Sequence, residues 1–345
     1  MRIAFFASIA DQDGAVAQYR GVMRALAERG HGVTFFEPET AAPGSRPGAL
    51  PWARVVTYPV DDAERIHPCL DAAKDADLIM RTSGQGVLDE LLHAAVLELS
   101  GPGRRVVFWD LDTQQTLARA HGKPRARFYE LIPRYDLLLS YGGGETVRRA
   151  YRELGARECV PVEGAIDPAA HHPVPKDRRF AGDLGILANR RSEREERVSH
   201  LFLEAARCLP DHAFVLGGSG WGGEALPPNV RTVGYVDPAE HNAWSCSLQA
   251  SLHLDGGTSP ATRVLESAAR GACIVTDGWR SIGALLEPGE EILIANDGEE
   301  VAALLDGTTR TERRRIGEAA RRRVLREHTF AHRAIVLEGV LDAQS

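Results

Sequence analysis

The chain lacks any run of about 18 apolar residues, the length a helix needs to span a bilayer, so no membrane-crossing helix is predicted. The apolar stretch in the opening MRIAFFASIADQDG is too short for the core of a signal peptide and has no cleavage site. It reads as a first buried strand starting at residue 1, and the expected location is cytoplasmic. Cysteine is scarce and scattered. Cys69, Cys159, Cys208, Cys246 and Cys273 include no CxxC pair, which suggests neither a zinc site nor a disulfide framework and reads as buried free thiols. Positive charge is not in excess: 41 basic residues stand against 48 acidic ones, a net charge of −7, which argues against nucleic acid as a partner. The arginine-rich ERRRIGEAARRRVLRE is the local exception. Its apolar Ile316, Ala319, Ala320 and Val324 follow helical spacing, so the arginines read as the solvated face of an amphipathic helix. Walker A, HExxH and GxSxG sequences are missing.

What the chain does have is length for two domains and 43% hydrophobic residues to build their cores. Short apolar runs alternate with amphipathic stretches, the pattern of parallel α/β units. In the first half, strands are expected at 2–8, 33–36, 78–81, 105–109 and 137–140. In the second they are expected at 184–188, 213–217, 230–236, 250–254, 272–276 and 292–295. Helices fit 193–207, 238–245, 261–270, 311–326 and 329–341. The boundary falls in the polar, proline-containing stretch 167–177. The fold class is α/β with two Rossmann-like, doubly wound domains, 1–168 and 169–328, facing a central cleft. The segment 329–345 is a candidate helix for packing back on the first domain. Ligands are expected at the carboxyl ends of the strands.

Two glycine-containing stretches compete for attention. GSGWGG, residues 218–223, matches G-x-G-x-x-G after a strand, but EALPPNV follows, and its prolines disfavour the helix a dinucleotide fold needs. GGTSPATRVLESAARGACIVTD follows the strand ASLHL and enters a helix at Ser259, with Pro260 where a first-turn proline fits. Gly256 and Gly257 allow close backbone approach. The first-turn N–H groups lack intrahelical partners and the helix dipole is positive there, so a pyrophosphate suits this end. Glu266 sits one to two turns in, where a carboxylate can accept both ribose hydroxyls. An ordinary capped amphipathic helix with a surface glutamate explains the same residues equally well.

The segment resembles the donor-binding element of GT-B glycosyltransferases, and most of all that of the CgeB-like (spore-maturation) family. That family reads approximately G-x-S-P-S-x-R-x-F-E-A-A-A-C-G, then an apolar strand, S/T-D, and later P-G-x-E. This chain has GTSPATRVLESAARG, IVTD and EPGEEILIA. FWDLDTQQTLARA resembles the family's strand and loop ending D-x-D-T-P-x-T-L. IPRYDLLLSYGGGETVRR, DLGILANRRSERE, NVRTVGYVDPAEHNAW and REHTFAHRA resemble further family segments in the same order. The resemblance implies a metal-independent, hexosyltransferase-like enzyme that takes a nucleotide sugar as substrate, needs no cofactor, and serves an acceptor that the sequence does not name.

It also implies roles for residues. Glu266 would contact ribose. Ser259, Ala261 and Thr262 would offer backbone N–H groups to the diphosphate. Arg194, with Arg190 and Arg191 nearby, would supply a guanidinium for charge-assisted, bidentate bonds to phosphate. Tyr235 and Val236 would pack the base, and Arg263 would brace Glu266 or reach a phosphate. Related retaining enzymes carry a second glutamate with seven residues between it and the ribose-binding one. Thr258 stands there instead, which leaves donor sugar and stereochemistry open. Ala188 and Leu265 replace the family's usual glycine and phenylalanine.

Asp110-Leu-Asp112 has the DxD form that binds a metal in GT-A enzymes. In the GT-B reading it ends a strand on the acceptor side. One carboxylate would then act as general base or bind acceptor or donor sugar, while a loop-capping role is equally ordinary. Asp112 is preferred, because Thr113 follows it as in the family's D-T pair, with Asp110 close behind; no metal ligand set is expected. The alternatives are a GT-A metal-dependent transferase using Asp110 and Asp112, or a non-catalytic nucleotide-sugar binding protein, which Thr258 keeps open.

Overall fold

The computed structural model describes residues 1–9, 14–39, 50–60, 63–82, 88–122, 127–190, 192–222, 225–254, 260–279 and 282–342, with backbone alone at 15, 121–122, 192–194 and 260. Its strands, in chain order, are β1 (Arg2–Phe6), β2 (Gly32–Pro38), β3 (Arg54–Tyr58), β4 (Leu78–Thr82), β5 (Arg105–Asp110), β6 (Leu137–Tyr141), β7 (Cys159–Val162), β8 (Gly182–Leu187), β9 (Phe214–Gly217), β10 (Val230–Gly234), β11 (Leu248–His253), β12 (Ile274–Thr276) and β13 (Leu293–Ile294). The helices are α1 (Gly14–Glu28), α2 (His67–Ala73), α3 (Asp89–Leu97), α4 (Thr113–Gly122), α5 (Arg127–Leu131), α6 (Gly144–Glu153), α7 (Ser192–Val198), α8 (Glu204–Cys208), α9 (His241–Ser247), α10 (Pro260–Ala269), α11 (Ile282–Leu285), α12 (Gly298–Gly307), α13 (Arg310–Glu327) and α14 (Phe330–Asp342).

The chain divides into two units. Unit 1 comprises Met1–Gly164 and Phe330–Ser345; unit 2 is Ala165–Thr329. Unit 1 is built on a seven-stranded parallel sheet in the order β3-β2-β1-β4-β5-β6-β7. Alternate side chains of each strand feed two apolar layers, as the period of two requires. Phe6, Phe36, Ile79, Phe108 and Leu138 enter one layer, beneath α2 and α3. Phe5, Phe35, Met80, Trp109 and Leu139 enter the other, with Tyr19, Met23 and Leu26 of α1 and Ala334, Leu337 and Leu341 of α14. On the surface beside that layer, Glu338 of α14 accepts from Arg29 at 2.6 Å and pairs with His31 at 2.8 Å. Arg333 of the same helix donates to the carbonyls of Glu163 and Gly164.

Unit 2 is built on a six-stranded parallel sheet in the order β10-β9-β8-β11-β12-β13. One layer packs Phe202, Ala205 and Val301 on the sheet, and another packs Val264, Leu265, Ala268 and Ala269 of α10 against Ala320 and Val324 of α13. In each unit the strand order reverses once, between β1 and β4 and between β8 and β11. At such a point neighbouring connections leave in opposite directions and open a crevice at the strands' carboxyl ends.

The arginine run of α13 is not wholly a solvated face. Arg313 is buried, and its guanidinium donates to the Leu305 carbonyl at 2.7 Å and to Thr308 Oγ1 at 3.2 Å, closing the end of α12. Sequence periodicity passed over β3 and β7. RVVTY lies at the sheet edge half-exposed, and CVPV is short and carries a proline.

Candidate functional site

At the carboxyl ends of the unit 2 strands lie the loops leaving β8 and β9 and the last residue of β11, His253. After β8 the chain runs Ala188-Asn189-Arg190, and after β9 it runs Gly218-Ser219-Gly220-Trp221. These two loops are stitched together. Asn189 Oδ1 accepts from Ser219 N at 3.0 Å and Ser219 Oγ at 3.1 Å, and Trp221 Nε1 donates to Ala188 O at 2.7 Å. Gly218 has φ of +125°, and a Cβ there would lie 2.1 Å from the Ala188 carbonyl oxygen. GSGW is therefore a tight turn clamped on its neighbour, and no helix follows it before residue 238 among the described residues. Arg190 lies beside this clamp, its guanidinium 2.7 Å from Glu195 Oε1, a bond that holds the Glu195 carboxyl below its ordinary range.

His253 ends β11. Its Nε2 is buried and makes no hydrogen bond among the described residues, and burial, with Arg263 and Arg270 adding, pushes the imidazole pKa down to about 3. A neutral histidine at the lip of the crevice is a residue that sequence reasoning missed. Its position as the last residue of β11 was the available signal.

The next helix, α10, shows why the segment is amphipathic. Ala261, Val264, Leu265, Ala268 and Ala269 are buried, Thr262 is half-buried, and Arg263 is exposed. Glu266, with 24% of its side chain exposed, lies where both classes meet. Its Oε1 is 3.6 Å from His171 Nε2 and its Oε2 is 3.6 Å from Arg270 Nη2. The ion pair to Glu266 thus comes from Arg270, one turn further on, while Arg263 points away from the buried face. Burial, opposed by Glu266, pushes the His171 pKa down. Burial, with Arg270 adding to it, does the same to His241 nearby.

Tyr235 is 66% exposed at the end of β10, free to cover a planar ligand. Val236 is packed with Phe180, Val215, Trp244 and Leu248, so its side chain is spent on the core. Arg194 lies on α7, its side chain outside the described residues; Arg191, Thr258 and Ser259 lie outside them altogether. Glu266, Ala261, Thr262 and Arg263 share one helix, and Arg190 and Tyr235 follow the β8 and β10 strands of the same sheet.

In unit 1, Asp110 ends β5 fully buried. Its Oδ1 accepts from Asp112 N at 3.0 Å and Thr116 Oγ1 at 3.2 Å, and its Oδ2 accepts from the Tyr151 hydroxyl. Burial and the Asp110 charge raise the Tyr151 pKa far above its ordinary value, so the phenol stays a donor. Asp112 is half-exposed at the entry to α4, and its carbonyl accepts from Thr116 N at 2.9 Å. The two aspartates of the DxD are thus placed differently, one locked under donors and one presented to solvent. Among the described residues, no three His, Cys, Asp or Glu side chains gather as a metal site. No described helix is long and apolar enough to cross a membrane.

No curated protein matches the chain significantly in sequence. Solved structures do match in fold. HepE from Anabaena, in complex with UDP-glucose, superposes with a TM-score of 0.70 at 14% identity over 99% of this chain and 100% of that one. Sucrose-phosphate synthase from Thermosynechococcus elongatus gives 0.66 at 15% identity, covering 100% of both chains. An alpha-glucosyltransferase in complex with UDP gives 0.66 at 13% identity over 100% and 99%. The two parallel-sheet units are those of the GT-B fold, and residues 190–339, which hold the Glu266 helix, match the family model described as glycosyl transferase-like.

Proposed function

We propose that this chain is a metal-independent, hexosyltransferase-like glycosyltransferase of the CgeB-like kind, acting in the cytoplasm on a nucleotide sugar and an acceptor hydroxyl or amine, with no cofactor. The reading rests on Glu266. It is a partly exposed carboxylate on the helix following the switch-point strand of unit 2, and both its oxygens have neighbours at 3.6 Å, just beyond hydrogen-bond length. Among the described residues no hydrogen bond of 3.5 Å or less is made to its oxygens, which supports their use by ribose hydroxyls. Ahead of it, the first-turn amides of α10 around Ala261 and Thr262, extended by Ser259, suit the diphosphate. The guanidinium of Arg194, with Arg190 and Arg191, adds positive charge where the leaving group gains negative charge. Tyr235 supplies the apolar face for the base, Val236 contributes backbone only, and Arg263 reaches outward to a phosphate.

In the transfer, the acceptor oxygen bonds to the anomeric carbon and the bond to the diphosphate breaks. The diphosphate leaves with the electron pair, and the acceptor's proton passes to a carboxylate acting as general base. Asp112 takes that role, since its side chain is half-exposed, whereas both oxygens of Asp110 already accept hydrogen bonds. The same occupancy supports metal independence, because a cation on Asp110 would have to displace its donors.

A thermal-shift screen against UDP, GDP, TDP and ADP tests the reading. A ligand at 100 times its dissociation constant adds about 2.7 kcal/mol of stability. HepE was solved with UDP-glucose, so UDP is expected to give the largest shift. Glu266→Ala should weaken the best nucleotide at least about tenfold, the loss of about 1.5–3 kcal/mol expected for bonds to a charged acceptor. No shift with any nucleotide would remove the reading. Turnover should survive EDTA, and abolition by EDTA with rescue by magnesium or manganese would restore the metal-dependent alternative.

A further inference from the structure

Arg270 stands four residues beyond Glu266, just past the last residue of α10, where its N–H still donates to the Glu266 carbonyl at 3.2 Å, so the two side chains share one helical face. It is 7% exposed, unusual for an arginine unless its charge is paired. One arm of the guanidinium faces Glu266 Oε2 at 3.6 Å, and Nε donates to Asn242 Oδ1 at 2.6 Å. Asn242 in turn donates its Nδ2 to the Ala170 carbonyl at 2.8 Å, so both ends of the amide are fixed. The other neighbour of Glu266, His171, is driven toward its neutral form by burial. Among the described residues, Arg270 is the permanently charged group within ion-pair reach of Glu266. At 3.6 Å, just beyond hydrogen-bond length, it orients the carboxylate chiefly by its field.

We propose that Arg270, braced by Asn242, is the positioning residue of the donor site, holding the Glu266 carboxylate aimed at the ribose hydroxyls. This rests on the reading of Glu266 as the ribose acceptor. A residue acting through Glu266 affects only ligands that Glu266 contacts. A residue that merely keeps unit 2 folded affects all ligands alike.

Calorimetric titration of the nucleoside diphosphate that gives the largest thermal shift, and of its 2′,3′-dideoxy analogue, separates the two. The proteins are wild type, Glu266→Ala, Arg270→Met, Arg270→Lys and Asn242→Ala, each checked by thermal melting. Arg270→Met should weaken the ribonucleotide about tenfold and Asn242→Ala about threefold, while neither changes binding of the dideoxy analogue. Arg270→Lys, which keeps the charge, should recover most of the ribonucleotide affinity. Equal losses toward both nucleotides, or no loss toward either, would overturn the proposal. Should Arg270→Met fail to fold, the selectivity of Asn242→Ala decides by the same criterion. If Glu266→Ala itself leaves both affinities at the wild-type value, the donor-site reading falls and the proposal with it. If Glu266→Ala weakens the ribonucleotide while the Arg270 and Asn242 variants do not, the proposal alone falls.

Discussion

Asp110 and Asp112 are separated by one residue and differ in almost every physical respect. Asp110 is an acceptor for a backbone N–H, a threonine hydroxyl and a tyrosine hydroxyl, all gathered at the end of β5. Removing it strands those buried donors, at about 1–3 kcal/mol for each unsatisfied group. Asp110→Ala should therefore lower the urea midpoint by the equivalent of several such groups, whatever it does to turnover. Asp112 has no such burden. Asp112→Asn keeps the volume and loses the charge, so nucleotide affinity should stay near wild type while turnover falls about a hundredfold, the usual size of a general-base contribution. Steady-state kinetics beside calorimetry would show the split. Normal turnover with collapsed nucleotide binding would move Asp112 to the donor site.

The elements show how local sequence rules are bent by neighbours. GSGW has the glycines of a phosphate-binding turn, but they serve the clamp between the β8 and β9 loops. Gly218→Ala should be among the more damaging small substitutions in unit 2, because it combines a left-handed backbone with a Cβ driven into the Ala188 carbonyl. A loss of about 1–3 kcal/mol is expected from the strain alone, readable as a drop in melting temperature. Unchanged stability would mean that the β8 loop yields easily. Similarly, α13 uses one arginine of its run, Arg313, to finish α12, a cationic cap on carbonyls that lack intrahelical partners. Helical spacing sorts residues by face, but a long side chain on the apolar side can still find a polar end to serve.

At the scale of the whole molecule, stability carries a pH signature set by buried histidines. His93 is packed against Phe108 and Phe128 and shares a hydrogen bond with the Tyr135 hydroxyl at 2.7 Å. Burial, with Arg81 adding, pushes its pKa down to about 3 from an ordinary 6.5. The unfolded chain therefore binds a proton that the native state refuses. The stabilisation from neutral His93 is complete above about pH 6.5 and is lost as pH falls toward about 3, at up to about 1.4 kcal/mol per pH unit. His93→Phe should flatten that acid limb of the stability curve measured by urea titration between pH 7 and pH 4; an unchanged slope would show that His93 titrates normally. The alternation of strands and helices, the two α/β halves and the amphipathic α10 with Glu266 at its polar edge were all legible in the sequence, because they follow from local periodicity, capping chemistry and a shared motif. The edge strand β3 and the short β7 were not, since neither has the burial that makes a strand stand out. Nor could spacing tell Asp110 from Asp112, because their difference lies in Tyr151 and Thr116, residues brought to β5 by folding. The same holds for Arg270. Its i, i+4 spacing to Glu266 is in the sequence, but the brace comes from Asn242 on α9, and the burial from the folded unit. Local pattern is written in near neighbours along the chain, whereas charge, burial and hydrogen-bond partners are set by residues distant in sequence, and those only the tertiary structure assembles.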